Sequence, residues 1–374
     1  MIFLTYFLVP LIICVAGWIF TKKITWKEAL LQVVVQAILI GCFVAAIMSS
    51  NMSDREVWNG VITNKKRVEV SCSHSYKCRC YTTCTTSCSG SGKTRSCRPS
   101  CTEHCSTCYD HRFDVDWMIY GSLDESWEIS RIDRQGLGEP PRWTVAKIGE
   151  PTSTTHSYDN YIKGATDSLF KTGQTDITYK GKLPAYPMSI YDYHRLDRLV
   201  RIDHAMTGDE VKEWNLGVSR ISSELGSLKQ VNIIVVITEL PQDFFQALNN
   251  HWLGGKKNDA IAVIGVDKER NILWVEVMSL SNEEFKVKLR TDLLSTNKLD
   301  LNTTLNTISD VVKTTYVRRP MKDFEYLKSS IQPTVGQWIW GMVLSIILSL
   351  GLSILFYYKD PFGDDEEYNT RRWY

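Results

Sequence analysis

The chain has 374 residues, with 43 lysines and arginines against 42 aspartates and glutamates and a net charge of +1. Nucleic-acid-binding proteins usually carry a basic surplus on one face, so this balance argues against a nucleic-acid partner. The length leaves room for two modest globular units beside the apolar segments described next.

Three apolar segments predict three transmembrane helices, and therefore a lipid bilayer as the first partner. They are residues 2–20, 30–48 and 335–358. Each is close to the ~20 residues that cross a hydrocarbon core of ~30 Å. The second segment also carries Gln32 and Gln36, and we expect these amides to pair with a neighbouring helix.

Lysine and arginine near the ends of these segments predict the orientation. The turn inside the predicted transmembrane hairpin, residues 1–50, is lysine-rich, and the acidic and aromatic tail, residues 359–374, holds further basic residues. By the positive-inside rule, both elements are expected in the cytoplasm. Residues 51–334 are then extracytoplasmic, and the C-terminus is cytoplasmic.

Residues 51–165 predict a β-rich ectodomain that contains nine of the eleven cysteines. Val57–Thr63 and Arg67–Ser71 are rich in β-branched residues, and we expect them to form a hairpin. Val115–Tyr120 and Trp127–Ile132 predict two more short strands after the cysteines. The unit should therefore have a small core beside a long cysteine-rich segment.

The cysteine cluster allows two interpretations. In an oxidising compartment, disulfides worth about 2–4 kcal/mol each stabilise units with little core, and an odd number leaves one thiol over. The alternative is a zinc site, with His74, His104 and His111 near enough to contribute. The predicted location favours disulfides, and the spacing matches no standard zinc finger. The nine cysteines are Cys72, Cys78, Cys80, Cys84, Cys88, Cys97, Cys101, Cys105 and Cys108.

Residues 166–206 predict an extended connector, and residues 207–330 predict an α/β unit. A capping box at Thr207–Glu210 begins a helix that we expect to end at Gly226. A buried strand, a short aromatic helix, two more strands and two helices follow. This order indicates an α/β sandwich around a small mixed sheet. The strands are Gln230–Thr238, Ala260–Val266 and Ile272–Met278, and the last two helices are Asn282–Leu294 and Leu301–Tyr316.

This second unit resembles the TPM domain (TLP18.3/Psb32/MOLO-1) family over residues 207–316. The resemblance lies in Glu239-Leu-Pro241 after a strand, an aromatic helix ending in Trp252, and a Gly-Lys-Lys-Asn-Asp turn before an apolar hairpin. It implies an anchored domain outside a membrane. Some members are described as acid phosphatases or calcium binders, and others assist the assembly or repair of membrane complexes. Here Val277–Leu280 replaces the family's glycine-rich strand end, which argues against an inherited phosphatase activity.

Four residues are candidate ligands in the second unit. Glu239 and Asp243 follow its first strand, and Asn258 and Asp259 precede its second. Ligands of α/β sheets lie beyond the carboxyl ends of strands, and such oxygen donors suit calcium or magnesium. The alternative, which we favour, is that Asp243 caps a helix and Asn258-Asp259 makes a turn.

Three hypotheses of function follow. The leading one is a non-enzymatic, membrane-anchored scaffold that acts on another membrane or envelope protein, with no resident cofactor and no catalytic residue. The alternatives are a divalent-metal-dependent phosphatase-like enzyme and a zinc-stabilised cytoplasmic adaptor of inverted topology. The whole architecture also resembles membrane proteins of unknown function encoded by tailed phages, which implies the inner membrane of a bacterial host with a periplasmic ectodomain.

Overall fold

The computed structural model describes residues 2–21, 24–89, 96–166, 168, 178–359 and 361. Of the predicted tail, residues 359–374, only Lys359 and Pro361 lie among them. The chain is a mixed α+β protein. Its described helices are α1 (Ile2–Thr21), α2 (Trp26–Met52), α3 (Pro141–Val145), α4 (Tyr161–Gly164), α5 (Gly208–Lys229), α6 (Phe244–His251), α7 (Glu283–Ser295), α8 (Leu301–Thr315) and α9 (Val335–Lys359), with a 3₁₀ helix at Met321–Ser330.

The described strands form two four-stranded sheets and two two-stranded ones. They are β1 (Ser53–Val70), β2 (Ser75–Ser89), β3 (Ser96–Tyr109), β4 (Asp114–Gly121), β5 (Ser126–Ile129), β6 (Pro151–Asp159), β7 (Ile190–Tyr191), β8 (Arg195–Leu196), β9 (Leu199–Ile202), β10 (Asn232–Thr238), β11 (Asp259–Val266) and β12 (Ile272–Met278).

Two of the helices, α2 and α9, are long and apolar enough to cross a membrane. They are held together by polar contacts inside an apolar bundle. The Gln32 amide of α2 donates to the Ser349 carbonyl at 3.0 Å and to the Ser353 hydroxyl of α9 at 3.1 Å. The predicted pairing of Gln32 is confirmed. The apolar helix α1 joins this bundle, since the Ser345 hydroxyl of α9 donates to the Tyr6 carbonyl at 3.1 Å.

The sheet of the first unit has the order β5-β4-β1-β6. The predicted hairpin of Val57–Thr63 and Arg67–Ser71 is wrong, because β1 runs through both segments as one strand of 18 residues. Its first half pairs with β6 up to Val61, and its second half pairs with β4 from Ile62 onward. The pairing partner of β1 changes from β6 to β4 here, next to an irregularity between Ile62 and Asn64. Cross-strand hydrogen bonds therefore satisfy the backbone groups on both sides of this point, and no turn forms.

The sheet of the second unit has the order β12-β11-β10-β9. β9, β10 and β11 are parallel, and β12 is antiparallel. Every residue of β10 and β11 is buried, because apolar side chains of α5, α7 and α8 pack on one face and those of α6 pack on the other. The predicted order of elements is confirmed. However, β9 lies within the predicted connector 166–206, so that segment contributes to the sheet.

Helix α5 of the second unit lies against β1 of the first. A Cβ atom at Gly226 would lie 2.3 Å from the Asn59 carbonyl oxygen, so only glycine permits this approach. Gly226 was predicted to end the helix, but α5 continues to Lys229 and is closed by Gln230 in the left-handed conformation. Gly226 therefore permits the close contact between the two units, and it does not end the helix.

Buried polar groups complete the junction between the two units. The Arg198 guanidinium is 1% exposed and donates to Asn59, to Ser153 at 2.7 Å and to Asn232 at 3.0 Å. A second set of contacts pairs Lys256 with Asp54 at 2.7 Å. Because β1 and β6 supply the acceptors and the second unit supplies the cations, the two units are fixed against each other.

Candidate functional site

The cysteine-rich segment forms a two-stranded antiparallel ribbon, β2 paired with β3, which we call the ribbon. Successive cysteines are separated by three residues within each strand, at Cys80, Cys84 and Cys88 and at Cys97, Cys101 and Cys105. Side chains alternate faces along a strand, so a spacing of four places these three cysteines of each strand on one face. In the ladder, Cys84 faces Cys101 and Cys88 faces Cys97.

This register produces a series of disulfides. Cys78–Cys108, Cys80–Cys105 and Cys84–Cys101 are bonded, and Cys88 is also disulfide-bonded. No described side chain between Ser75 and Tyr109 is buried. Cross-links therefore replace a hydrophobic core along the whole ribbon. The disulfide prediction is confirmed for these residues, and the disulfides indicate an oxidising, extracytoplasmic compartment.

The ribbon presents aromatic and basic side chains to solvent. Tyr76, Tyr81 and Tyr109 are 52%, 65% and 56% exposed, respectively, and Tyr81 stacks on His104 with ring centroids 5.4 Å apart. The described basic residues of the ribbon outnumber its acidic one: Lys77, Arg79 and Arg98 against Glu103. Exposed tyrosines on a rigid, cross-linked backbone form a surface suited to binding.

Cys72 is an exception to the disulfide prediction, since it is a buried free thiol. It lies at the foot of the ribbon, between β1 and β2, together with His74. His111 lies where β3 returns to the first sheet, and Asp114 begins β4. The Cys72 sulfur, one nitrogen of each imidazole and one carboxylate oxygen all lie within 4.8 Å of one another. We call these four residues the foot cluster.

Asp114 is the most enclosed member of the foot cluster, and neighbouring groups fix its carboxylate. Its Oδ2 accepts from the Ser73 amide at 2.9 Å, the Ser73 hydroxyl at 3.0 Å and the Arg131 guanidinium at 2.9 Å. The amide of Ser73, with the other donors, holds the pKa of the Asp114 carboxyl well below its usual range. Its buried Oδ1 has no hydrogen-bond partner. The carboxylate is therefore ionised, with one oxygen free on the side of His111.

Asp114 and the pairing of Cys72 with His111 were missed in the sequence. The signal was present in two short motifs, Cys72-x-His74 and His111-x-x-Asp114. These motifs are 37 residues apart along the chain. Only the antiparallel register of the ribbon, which returns the chain to its starting point, brings them together.

The four residues proposed as ligands in the second unit do not form one site. Glu239 and Asp243 follow the carboxyl end of β10, whereas Asn258 and Asp259 lie at the amino end of β11. β10 and β11 are parallel, with Asn232 opposite Asp259 and Thr238 opposite Gly265. The two pairs therefore lie at opposite edges of the sheet, about 20 Å apart at ~3.3 Å per residue.

Each of these residues has a local role. Asp259 accepts from Tyr186 and Asn232, and burial raises its pKa to about 6, although those hydrogen bonds act in the opposite direction. Asn258 donates to the Val57 carbonyl at 2.7 Å, across the junction between units. Glu239 contacts His204 at 2.9 Å, and Asp243 accepts from Tyr179 at 2.7 Å. The turn of Asn258 and Asp259 thus supports the junction.

No family model matches the chain, and no curated protein or solved structure shows significant similarity to it.

Proposed function

We propose that the chain is a membrane-anchored, extracytoplasmic interaction protein that presents the ribbon to another membrane or envelope protein. The observation that carries the proposal is the ribbon itself. It has no buried side chain among its described residues, and its disulfides hold exposed tyrosines and basic groups in fixed positions. A segment that contributes no core to the fold is best explained by contact with something else.

The chemistry of the ribbon favours an acidic protein surface as the partner. Lys77, Arg79 and Arg98 provide positive charge, which steers association with a negative surface. Tyrosines such as Tyr81 supply large contact area with little side-chain entropy to lose. Disulfides remove much of the ordering cost that a flexible loop would meet on binding.

The proposed topology places α1, α2 and α9 in a bacterial inner membrane, with residues 51–334 in the periplasm and the tail in the cytoplasm. The disulfides support an oxidising side for the ribbon. The contact of Tyr6 with Ser345 supports α1 as a third span, because it joins α1 to a helix of membrane-spanning length. The lysines before α2 support a cytoplasmic turn.

We also infer that the second unit is a TPM-like domain that serves as the rigid base of the ribbon's unit. Its order of helices and strands supports this, as does the Lys256–Asp54 contact made from the family-like turn. A phosphatase activity draws no support from the four acidic and amide residues, since they lie at opposite edges of the sheet. The inverted zinc adaptor draws none from cysteines that are joined in disulfides.

Site-specific photo-crosslinking in intact cells tests the proposal. A photoreactive amino acid replaces Tyr81 on the ribbon, and a matched control replaces Leu273 on β12, which is similarly exposed at 61% against 65%. We expect an ultraviolet-dependent adduct with an acidic envelope protein from Tyr81 only. Charge reversal of Lys77, Arg79 and Arg98 to glutamate should reduce that adduct at least about tenfold.

The control for charge reversal changes three exposed lysines away from the ribbon, namely Lys268, Lys298 and Lys322. This variant should retain the adduct, because its net charge changes equally while the ribbon does not. Equal adducts from Tyr81 and Leu273, or loss of the adduct in both charge-reversal variants, would contradict a binding surface on the ribbon.

A further inference from the structure

We propose that the foot cluster is a zinc site, in which Cys72, His74, His111 and Asp114 bind one ion and close the base of the ribbon. The site is separate from the exposed binding surface and from the disulfides. It joins the segment that enters the ribbon to the segment that leaves it, so its role is to set the direction in which the ribbon projects.

The donor set selects the metal. One thiolate, two imidazoles and one carboxylate are all common zinc ligands, and four protein ligands are typical of a structural site. Magnesium and calcium prefer oxygen donors and would not retain the sulfur and both nitrogens. The Cys72 thiolate and the Asp114 carboxylate together balance the two positive charges of Zn²⁺.

The distances within the foot cluster fit tetrahedral coordination. Bonds of about 2.0–2.3 Å in a tetrahedron place neighbouring donors roughly 3.4 Å apart. The His111 Nδ1 lies 3.8 Å from the Cys72 sulfur and 3.5 Å from the Asp114 Oδ1. The His74 Nδ1 lies 3.6 Å from the other oxygen of that carboxylate, Oδ2. All four donors lie within 4.8 Å of one another, so small side-chain movements suffice to bring them onto one zinc ion.

The surroundings of Asp114 form a second shell of the kind found around bound metals. Ser73 and Arg131 bind one carboxylate oxygen, which fixes the group and leaves the other oxygen toward His111. That buried Oδ1 has no hydrogen-bond partner, and a buried acceptor without one is costly unless something else occupies it. A cation between Asp114 and the imidazoles satisfies it.

The state of Cys72 is the second independent observation. It is a buried free thiol immediately before a ribbon in which seven cysteines are disulfide-bonded. A metal bond explains how a thiol persists unpaired in an oxidising compartment. The imidazoles of His74 and His111 are partly exposed, 32% and 28%, respectively, so the ion has a path from solvent.

The test uses the full-length protein purified in detergent with its disulfides intact. Metal analysis should find one zinc per chain. Exchange for Co²⁺ should produce a thiolate-to-cobalt charge-transfer band together with the visible bands of tetrahedral cobalt. Alkylation mapped by mass spectrometry should leave Cys72 unmodified until a chelator is added. These three readouts use the unaltered chain, so they do not depend on a variant that folds.

Variants then assign the ligands. Cys72→Ser and His111→Gln should lose the zinc, and Cys72→Ser should also lose the charge-transfer band. His104→Gln is the matched control, because His104 lies on the ribbon but outside the foot cluster, and it should retain one zinc per chain. The proposal is overturned if the unaltered chain binds neither zinc nor cobalt, if Cys72→Ser retains the charge-transfer band, or if Cys72 is found in a disulfide with a second chain.

Discussion

Arg198 shows how a single buried cation connects the two units. Its acceptors are an amide oxygen of β1, a hydroxyl of β6 and an amide oxygen of β10. One guanidinium therefore forms hydrogen bonds with three strands from two sheets. Burial lowers its pKa to about 10, which still leaves the group charged at neutral pH. The planar fork of arginine fits this arrangement, and the point charge of lysine does not.

Replacement of Arg198 by methionine should destabilise the protein by about 3 kcal/mol, because it leaves the Asn59 oxygen buried without a donor and removes one of the two donors to the Asn232 oxygen. Arg198→Lys should recover less than half of this loss. The exposed Arg201, on the adjoining strand β9, is the control, and Arg201→Met should have little effect. The measurement is urea unfolding of the extracytoplasmic part of the detergent-solubilised chain by tryptophan fluorescence. Equal effects at Arg198 and Arg201 would contradict the role given to Arg198.

Asp259 gives the protein a specific dependence on pH. Its folded pKa of about 6 lies above the ordinary value of ~3.9, so the folded chain retains the proton to higher pH than the unfolded chain. Stability from this group is therefore fully present below pH ~4 and decreases as pH rises to about 6 and beyond, by up to about 3 kcal/mol. Asp259→Asn should flatten this part of the stability profile.

The measurement is the free energy of unfolding between pH 4 and pH 8 for the wild type and Asp259→Asn. The difference between the two profiles isolates this carboxyl from others, such as Glu150, whose pKa is lowered to about 2 because the nearby His194 and the hydrogen bonds from Arg195 and the Lys147 amide outweigh burial. An exposed carboxyl, in Asp209→Asn, serves as the control and should leave the profile unchanged. A difference that grows toward low pH would contradict the assignment.

At the scale of elements, the disulfides reinforce the backbone ladder of the ribbon in place of a buried core. Removal of two bridges, by Cys80→Ser, Cys105→Ser, Cys84→Ser and Cys101→Ser together, should allow the ribbon to open locally. Trypsin should then cleave after Arg79 at least about tenfold faster, since local opening exposes the backbone. The melting temperature of the two large sheets should not change, because their cores contain no ribbon side chain. Unchanged cleavage would contradict the idea that the bridges replace a core.

The contact of α2 with α9 yields a paired prediction. Gln32 donates to Ser349 and Ser353, whereas the buried Nε2 of Gln36 has no partner. Gln32→Leu should weaken the helix bundle by about 1 kcal/mol, and Gln36→Leu should be neutral or stabilising. Titration with a denaturing detergent, read by helicity, compares the two variants. A larger loss from Gln36→Leu would reverse the assignment.

Local sequence predicted the elements wherever a single segment determines its own structure. The capping box at Thr207–Glu210, the apolar strand before Glu239 and the apolar run of α9 all form as expected. The predictions that failed concern segments whose structure depends on residues far away in the chain. β1 runs through a turn-like sequence because β4 and β6 pair with its two halves. Glu239 and Asp259 lie at opposite edges of the sheet because β10 and β11 are parallel, and the local sequence does not reveal that pairing.

The foot cluster also depends on segments that are distant in the chain, so local sequence could not predict it. The motif His111-x-x-Asp114 is local, but its position beside Cys72 follows only from the return of the ribbon. By contrast, the repeated cysteine spacing in β2 and β3 was sufficient to predict an antiparallel series of disulfides.

Across the whole molecule, the ectodomain is attached to the helical bundle at two adjacent points. The chain passes directly from α2 into β1, and the Asn160 amide donates to the Met52 carbonyl at 2.7 Å. At the other attachment, Gln337 of α9 donates to Asn51 of α2 at 2.9 Å. The ends of α2 and α9 that carry the ectodomain therefore lie side by side, which requires residues 51 and 335 to be on the same face of a membrane.

This arrangement predicts the outcome of thiol labelling on intact cells. A membrane-impermeant maleimide should label the ribbon cysteines from outside only after reduction, because the disulfides block them and the proposed topology places the ribbon outside the membrane. A reporter in the first turn of α2, Lys27→Cys, is exposed and should be labelled only after the membrane is permeabilised. Cys14 and Cys42 are replaced by serine so that their free thiols do not contribute. Ribbon cysteines that react only after permeabilisation and chelation would invert the topology, and with it the side of the membrane on which the partner must be sought.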